Sequence, residues 1–398
     1  DTTRGWEDAK VFMWYNIEPT SGHFTWEHSD QYVSAANAAD MDVLAVLGYP
    51  SNWNSTRPPV SAIPAEGYKS AYQYQPDRYV SKDIQYHDGV PGSGDRWTNY
   101  VYQTMKRYAC KVKYYEIVNE VNFHPPYLPA SFSGTADEYF LMLKIAHEQA
   151  QRVKAEYKAE TGQDLELYIS SSGFTAVAGS SADRQMALDA LKEPYVGYYD
   201  IYNIHGYSGT KTIKDDVLPA FKAAQITHPN LKLWQGEFGP LNDLYSTIPG
   251  KLYGTVDKYM DFLANGTDKY FGFGSPGDDT FATRHTVSPT EVFQTTAVLQ
   301  NQIRKVDQYI GSYSGFTNEA YLTVNHYMHR TDGNYLSILS ADQQPLNINI
   351  QNADKIVRVE DNYGNVVPVQ QGGTVYKKDT VFIVSSEPLQ ISSVTGNV

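Results

Sequence analysis

Two glutamates each directly follow a short apolar segment typical of a buried β-strand. Glu120 comes after residues 114–119, and Glu237 comes after residues 231–236. A pair of carboxyl groups can divide acid–base work, because one kept protonated donates a proton while an ionised one acts as a nucleophile or base. The two segments therefore predict a catalytic pair, provided that the fold brings their strand ends together.

Between residues 10 and 304, short apolar runs alternate with longer helical patterns. We predict strands at residues 10–15, 43–48, 112–118, 165–170, 200–205, 232–236 and 269–273. The predicted helices cover residues 29–40, 98–109, 136–160, 183–191, 215–228, 251–265 and 291–304. Most of these strands are continuously apolar, as expected when helices cover both faces of a parallel sheet. The fold class is therefore α/β, and this many units favours a (β/α)8 TIM-type barrel over an open sheet.

The order of the predicted strands gives the glutamate pair a geometry. Two strands, 165–170 and 200–205, separate the strand that ends at Glu120 from the strand that ends at Glu237. Strands three apart in a ring of eight lie on nearly opposite walls, and their carboxyl ends form the active-site face of a barrel. We expect the two side chains to face each other across the mouth.

The residues around the pair resemble those of the clan A retaining glycoside hydrolases. In that clan an acid/base Glu follows Asn at the end of strand four, and a nucleophile Glu ends strand seven. Within the clan, the chain is most similar to family 39, over residues 10 to about 304. The matching segments are Asn119-Glu120, His205-Gly206-Tyr207, Glu237-Phe238-Gly239 and the stretch from Trp14 to Trp26.

The resemblance implies hydrolysis of β-glycosidic bonds by double displacement, with Glu120 as acid/base and Glu237 as nucleophile. It implies that Asn119 holds the 2-hydroxyl of the sugar and that His205 and Tyr207 lie near the nucleophile. Trp14, Trp53 and Tyr49 are the expected stacking platforms. Alternatives stay open: His205 as a structural histidine, Tyr207 as plain packing and Trp14 as a barrel filler. We predict no cofactor and no metal site.

Two departures from the clan pattern affect the predicted barrel. The resemblance makes residues 43–48 strand three and residues 10–15 strand two, which leaves no segment for strand one. Residues 1–9 are too few for a strand and a helix, so we expect the natural protein to continue upstream of Asp1. Strand eight lacks the Trp of many clan members, and Phe273 or another loop would supply that platform.

The connection from Tyr49 to Trp97 is rich in aromatic residues and predicts an ordered wall of a cleft with several sugar subsites. The expected substrate is therefore a polysaccharide, cleaved by an endo-β-glycanase such as a cellulase, xylanase or mannanase. An exo-acting β-glycosidase such as a β-xylosidase remains an alternative. A non-catalytic carbohydrate-binding barrel is a third, although it would be expected to lack one of the two glutamates.

Composition excludes some partners. The chain has 398 residues with a net charge of −13 and no basic stripe, so we predict no nucleic-acid partner. No apolar run reaches the roughly 18 residues of a membrane-spanning helix, and the single cysteine, Cys110, is expected to be buried packing. A first residue other than Met favours processing and export, which predicts an extracellular protein. The oligomeric state stays open.

After residue 305 the pattern changes to short alternating runs separated by turns. The runs are residues 320–327, 335–340, 346–350, 356–361, 381–384 and 389–394. They predict a small antiparallel, sandwich-like all-β domain over residues 305–398, following a catalytic domain over residues 1–304. This domain is either a stabilising appendage or a carbohydrate-binding module.

Overall fold

The computed structural model describes residues 2–4, 11–54, 91, 95–123, 132, 134–175, 181–206, 213–238, 248–272, 291–313, 323–341, 346–377 and 380–396. The chain divides into two compact units, which we call unit 1 (residues 1–237) and unit 2 (residues 238–398). The predicted domain boundary near residue 304 stays a prediction.

Unit 1 alternates strands and helices. Its strands are β1 (Thr2–Arg4), β2 (Asp42–Leu47), β3 (Tyr114–Ile117), β4 (Tyr168–Ser170), β5 (Phe174–Thr175), β6 (Ile201–His205) and β7 (Lys232–Phe238). Its helices are α1 (Trp14–Ile17), α2 (Glu27–Ala38), α3 (Arg96–Arg107), α4 (Ala136–Thr161), α5 (Ser181–Asp189) and α6 (Leu218–Thr227). Short 3₁₀ turns occur at Asn52–Asn54 and Tyr195–Tyr198, and a π-helical turn at Ile213–Val217 precedes α6.

The strands of unit 1 form a curled parallel sheet in the order β1-β2-β3-β4-β6-β7, with the short β5 also pairing with β6. The residues of β2, β3 and β6 are almost all buried, as expected for strands covered on both faces. This mixed α/β architecture agrees with the predicted fold class. Closure of the sheet into a complete eight-stranded barrel stays a prediction.

One predicted strand is wrong. In the segment 10–15, residues 11–13 form a turn and Trp14 begins the helix α1, whereas Thr2–Arg4 is the strand that pairs with β2. A short apolar run can be a buried turn or helix as easily as a strand, because its periodicity cannot separate them. The turn lies against the end of β2 through bonds from Trp14 N to Gly48 O (2.9 Å) and from Tyr15 N to Tyr49 O (3.2 Å). Two strands still precede β3 in the sheet.

The longest helix, α4, shows how local sequence sets its bounds. Thr135 and Glu138 form a reciprocal capping box at its start, which satisfies two of the free N–H groups there. Gly162 ends the helix in the left-handed conformation (φ 75°), which costs glycine little. The helix therefore lies where the sequence predicts it, after β3 and before β4.

The described residues of unit 2 form two α-helices, a 3₁₀ turn at Ala353–Lys355 and two antiparallel sheets. Its helices are α7 (Ile248–Ala264) and α8 (Glu291–Ile303), and a short strand β8 (Lys269–Gly272) lies between them. A five-stranded sheet has the order β13 (Ile356–Asp361), β15 (Val381–Ser385), β11 (Tyr335–Ala341), β10 (Thr323–Arg330), β9 (Val306–Tyr313). A three-stranded sheet has the order β14 (Thr374–Lys377), β12 (Leu346–Ile350), β16 (Ile391–Gly396).

The strand β15 of the five-stranded sheet is buried on both faces. Its residues Phe382 and Val384 pack in a cluster with residues of α7 and α8, whereas Val381 and Ile383 pack with residues of the three-stranded sheet. The predicted antiparallel β-structure is present, but this strand is continuously apolar rather than alternating because helices cover its second face.

Cys110 is exposed, which corrects its expected burial. The helix α3 ends at Arg107, and Cys110 adopts a left-handed backbone (φ 66°) in the turn that leads toward β3. Among the described residues, no helix combines the length and apolarity needed to cross a membrane.

Candidate active site

Three strands of unit 1 bring chemically active side chains to the same edge of the sheet. Glu120 follows the end of β3, His205 ends β6 and Glu237 lies near the end of β7. The strands β4 and β6 separate β3 from β7, so the two glutamates are three strands apart, as the sequence predicts. Because all these strands are parallel, their carboxyl ends meet at one edge.

The two glutamates converge on one imidazole nitrogen. His205 Nδ1 lies 2.8 Å from Glu120 Oε1 and 3.5 Å from Glu237 Oε2, and these three atoms all lie within 4.8 Å of one another. The His205 side chain is fully buried, while the Glu120 and Glu237 side chains remain 17% and 8% exposed. Two carboxyl groups this close could divide acid and nucleophile roles between them.

The backbone leading into Glu120 is strained. Val118 and Glu120 both have positive φ, at 58° and 48°, a conformation that is rare for a β-branched residue such as Val118. Such residues cost about 1–3 kcal/mol each and persist where the surrounding structure holds them. Here a 2.7 Å bond from Val118 N to Leu47 O ties the segment to β2. Strain concentrated beside a partly buried carboxyl group is typical of a functional site.

A β-bulge sets the direction of Glu237. Ile204 pairs with Gln235, but the next residue, His205, pairs with Glu237, so Gly236 is an extra residue in β7. A Cβ on Gly236 would lie 2.4 Å from Asn203 Oδ1, and only glycine leaves room for that buried amide. Bulges re-aim side chains at strand ends, and this one brings Glu237 level with His205.

A second close approach fixes the His205 ring. A Cβ on Gly173 would lie 1.9 Å from His205 Nε2, so the ring edge occupies the space that any other side chain would need. The Gly173 N–H in turn donates to Glu116 Oε1 at 3.2 Å, and Glu116 is fully buried. With Nε2 against Gly173, Nδ1 is the ring nitrogen that faces the two catalytic candidates.

Asn119 and Tyr49 lie at neighbouring strand ends. Asn119 is buried and forms an isolated parallel bridge with Gly173, immediately before Glu120. Tyr49 is buried with a positive φ of 51°, two residues after β2 ends. Tyr207, Phe273 and most of the aromatic connection between residues 49 and 97 lie outside the described residues.

The two predicted tryptophan platforms differ in exposure. Trp14 is fully buried, and its ring stacks on Tyr100 with 5.0 Å between centroids, which fits the barrel-filler alternative. Its indole N–H donates to Glu18 Oε2 at 2.7 Å. Trp53 is only partly buried, its indole N–H donates to Glu18 O at 3.0 Å, and the Arg96 guanidinium lies 5.0 Å from its ring centroid.

Sequence reasoning missed three buried neighbours of the pair: Glu116, Gly173 and Asn203. Glu116 lies in the apolar segment that precedes Glu120, four residues before it. A carboxylate inside a strand that is expected to be buried could have marked Glu116 as a functional candidate. Gly173 closes the run Ser170-Ser171-Ser172-Gly173, which is small and polar where a strand ends. Their contacts with His205 and Gly236 join distant parts of the chain, so no local pattern predicts them.

Solved structures resemble this chain along most of its length. A family 39 glycoside hydrolase from the gut symbiont Bacteroides cellulosilyticus superimposes with a TM-score of 0.59 and 17% identity, covering 94% of this chain and 74% of that one. A family 44 endoglucanase from Clostridium acetobutylium superimposes with a TM-score of 0.53 and 13% identity, covering 93% of this chain and 86% of that one. A bifunctional glucanase-xylanase from a metagenome library superimposes with a TM-score of 0.51 and 12% identity, covering 92% of this chain and 86% of that one.

The chain shares the fold of the clan A glycoside hydrolases. The resemblance predicted from the sequence, including the similarity to family 39, is thereby confirmed at the level of the fold. No protein-family model matches the sequence, and no curated protein matches it significantly.

Proposed function

We propose that the chain is a retaining glycoside hydrolase that cleaves β-glycosidic bonds, with Glu120 as acid/base and Glu237 as nucleophile. The observation that carries this proposal is the convergence of both carboxyl groups on His205 Nδ1, at the ends of strands three apart. The shared fold with glycoside hydrolases supports the same chemistry.

The closeness of the two carboxyl groups supports retention over inversion. In retaining enzymes the carboxyl groups are about 5–5.5 Å apart, whereas inverting enzymes separate them by about 6.5–9.5 Å to admit a water molecule. The facing oxygens of Glu120 and Glu237 lie within 4.8 Å of each other. That spacing is closer to the retaining than to the inverting arrangement and suits direct attack by a carboxylate.

Each step of the proposed reaction moves one proton. In the first, a Glu237 oxygen bonds to the anomeric carbon as the glycosidic bond breaks, and Glu120 gives its proton to the leaving oxygen. In the second, Glu120 takes a proton from water, and the hydroxide oxygen displaces Glu237 from the same carbon. Two displacements at one carbon restore the original configuration.

His205 suits the acid/base role of Glu120. With a proton on Nδ1, the imidazole donates to Glu120 Oε1 and leaves Oε2 to carry the acidic proton toward the substrate. The longer 3.5 Å separation leaves Glu237 Oε2 available to the anomeric carbon. In this role His205 contacts the acid/base more closely than the nucleophile, whereas the resemblance implied proximity to the nucleophile.

For the substrate we propose a β-linked polysaccharide cut internally. The aromatic-rich sequence between Tyr49 and Trp97 and the partly exposed Trp53 support several sugar subsites. Among the structures that share the fold are an endoglucanase and a glucanase-xylanase, which supports the same substrate class. Exo action on shorter oligosaccharides remains the alternative.

The test is a panel of β-glucans, xylans, mannans and aryl β-glycosides, with the first product anomer identified by proton NMR. The proposal predicts the β anomer first, followed by slow mutarotation, and a ladder of products from polysaccharide. The α anomer as first product would overturn retention. Release of single sugars alone would favour the exo alternative.

A further inference from the structure

We propose that Glu120, His205 and Glu237 bind a transition-metal dication of the Zn²⁺ and Cu²⁺ class, and that the bound ion reversibly blocks hydrolysis. Among the described residues, these three form the group whose ligand atoms converge closely enough to hold an ion. The binding part of the proposal stands on geometry alone, and the inhibition part rests on the proposed function.

The spacing of the three atoms suits a small ion. A tetrahedral Zn²⁺ with bonds of about 2.0–2.1 Å to nitrogen and oxygen holds its ligand atoms about 3.4 Å apart. His205 Nδ1 lies 2.8 Å from Glu120 Oε1 and 3.5 Å from Glu237 Oε2, on either side of that value. Small rotations of the two glutamate side chains are enough to admit the ion.

The donor set determines which ions fit. One imidazole nitrogen and two carboxylate oxygens suit Zn²⁺, Cu²⁺ and Ni²⁺, whose affinities for a given site follow the order Ni²⁺ < Cu²⁺ > Zn²⁺. Ca²⁺ takes six to eight oxygen ligands and Mg²⁺ near-ideal octahedral oxygen coordination, so three mixed donors hold neither strongly. Three protein ligands leave a fourth position of the tetrahedron open to solvent.

The packing that positions Glu120, His205 and Glu237 for catalysis also preorganises them to bind an ion. The His205 ring is buried with Nε2 against Gly173, so Nδ1 points at the carboxylates without an ordering cost. Glu120 and Glu237 retain some exposure, which gives an ion a route from solvent. An ion bound there would replace the proton of Glu120 and occupy the attacking oxygen of Glu237, so a glycoside and the metal would exclude each other.

The binding test is a titration of the whole protein with Co²⁺, followed by visible absorption, and with Zn²⁺ by calorimetry. Wild-type protein should bind one ion with the intense absorption of a four-coordinate cobalt site. His205→Gln should weaken that binding by a factor on the order of 10–100. The matched control is His329→Gln, which removes a surface histidine whose Nδ1 lies 2.8 Å from Asp307 and should leave the cobalt spectrum unchanged.

Three results would overturn the binding proposal: no Co²⁺ or Zn²⁺ binding by wild-type protein at millimolar ion, equal affinity in His205→Gln, or loss of the spectrum in His329→Gln. If thermal unfolding shows that His205→Gln does not fold, Glu237→Gln replaces it and should also weaken binding. These experiments need no activity, so they decide on binding even if no glycoside is hydrolysed.

The inhibition test uses the aryl glycoside that the protein cleaves. Zn²⁺ and Cu²⁺ should inhibit competitively and a chelator should restore full activity, whereas Mg²⁺ and Ca²⁺ at the same concentration should not inhibit. Non-competitive inhibition, or equal inhibition by all four ions, would refute the block while leaving the proposed glycosidase function intact.

Discussion

Charged groups are arranged differently in the two units. In unit 1, two carboxyl groups face a single imidazole at the strand ends. In unit 2, buried Arg330 donates to Gln302 at 3.0 Å and to Asp332 at 2.8 Å, Gln302 donates to Glu360, and Glu360 pairs with Arg358. The Arg330 guanidinium holds the pKa of Asp332 well below its ordinary range.

This difference separates a reactive arrangement from a structural one. In this network of unit 2 both carboxylates, Asp332 and Glu360, meet a guanidinium, and the groups tie α8 to the five-stranded sheet. In unit 1 two carboxyl groups face the same imidazole nitrogen, an arrangement that favours transfer of a proton between them and a substrate. Groups whose local charge balance is unfavourable are expected at functional sites.

The largest expected effect tests the nucleophile. Glu237→Ala should lower turnover by a factor on the order of 10⁴–10⁶, because no group remains to attack the anomeric carbon. Azide should restore turnover of an activated aryl β-glycoside and give the α-glycosyl azide, since it attacks from the vacated face. The matched control is Glu193→Ala, which removes a glutamate that lies 2.8 Å from His228 and should keep activity within a few-fold. Unchanged turnover in Glu237→Ala would contradict the assignment.

The next effect separates acid from base. Glu120→Gln should lower kcat/KM by roughly 10²–10⁴ for glycosides with poor leaving groups, because these need a proton in the transition state. Dinitrophenyl glycosides should be nearly unaffected in this first step. The measurement is kcat/KM across aryl glycosides of graded leaving-group acidity. An equal loss for every leaving group would show that Glu120 is not the acid.

Positioning of His205 gives a smaller effect. Gly173→Ala places a Cβ where His205 Nε2 now lies, so the ring must shift and Nδ1 must leave the two carboxyl groups. A displacement of about 1 Å costs roughly 100-fold in rate. Gly197→Ala is the control, because a Cβ there meets no atom within 4 Å. Wild-type kcat/KM in Gly173→Ala, with a native thermal transition, would show that His205 placement does not matter.

The buried Lys258 of unit 2 should make stability depend on pH. Burial lowers the pKa of Lys258 to about 8, from an ordinary 10.5, so its charge destabilises the folded state below pH 8. Between pH 8 and 10.5 the folded lysine is already neutral while the unfolded one still binds a proton, so the penalty shrinks as pH rises and disappears above 10.5. Lys258→Met should therefore stabilise the protein by about 2–3 kcal/mol at pH 7 and by little above pH 10.5. Denaturant unfolding at several pH values measures this, with the exposed Lys305→Met as control. A gain independent of pH would refute it.

The balanced network of unit 2 should matter for stability alone. Arg330→Met removes the bonds to Gln302 and Asp332 and should lower the free energy of unfolding by about 2 kcal/mol. The kcat at 25 °C should not change, since the substitution leaves the glutamate pair intact. Comparison of unfolding curves and kcat checks both parts, and a large loss of kcat without loss of stability would contradict the separation of roles.

The sequence predicts elements well where local patterns are strong. The bounds of β12 and β13 coincide with the predictions, and α4 differs by one residue, because turns and caps mark their ends. The sequence does not predict β1 and β14. These strands are only three and four residues long, which is too short for an alternating hydrophobic pattern to be recognised. It also misses β9, an exposed-to-intermediate strand that lacks an apolar run.

The two glutamates of the candidate site were also predictable from local sequence patterns. Glu120 and Glu237 each follow an apolar segment that the sequence identifies as a strand. Counting the predicted strands between these segments gives the separation of three strands. The bulge at Gly236, the fit of His205 against Gly173 and the burial of Trp14 depend on contacts between distant segments. Local sequence cannot specify such contacts.

The most direct test of the central claim is to trap the covalent intermediate. An activated 2-deoxy-2-fluoro-β-glycoside of the preferred sugar should react once, because fluorine slows both steps while the good leaving group keeps the first step fast. Mass spectrometry of the digested protein should then find one sugar on the peptide that carries Glu237. A sugar attached to any other residue, or turnover with an inverted product and no attached sugar, would contradict the account.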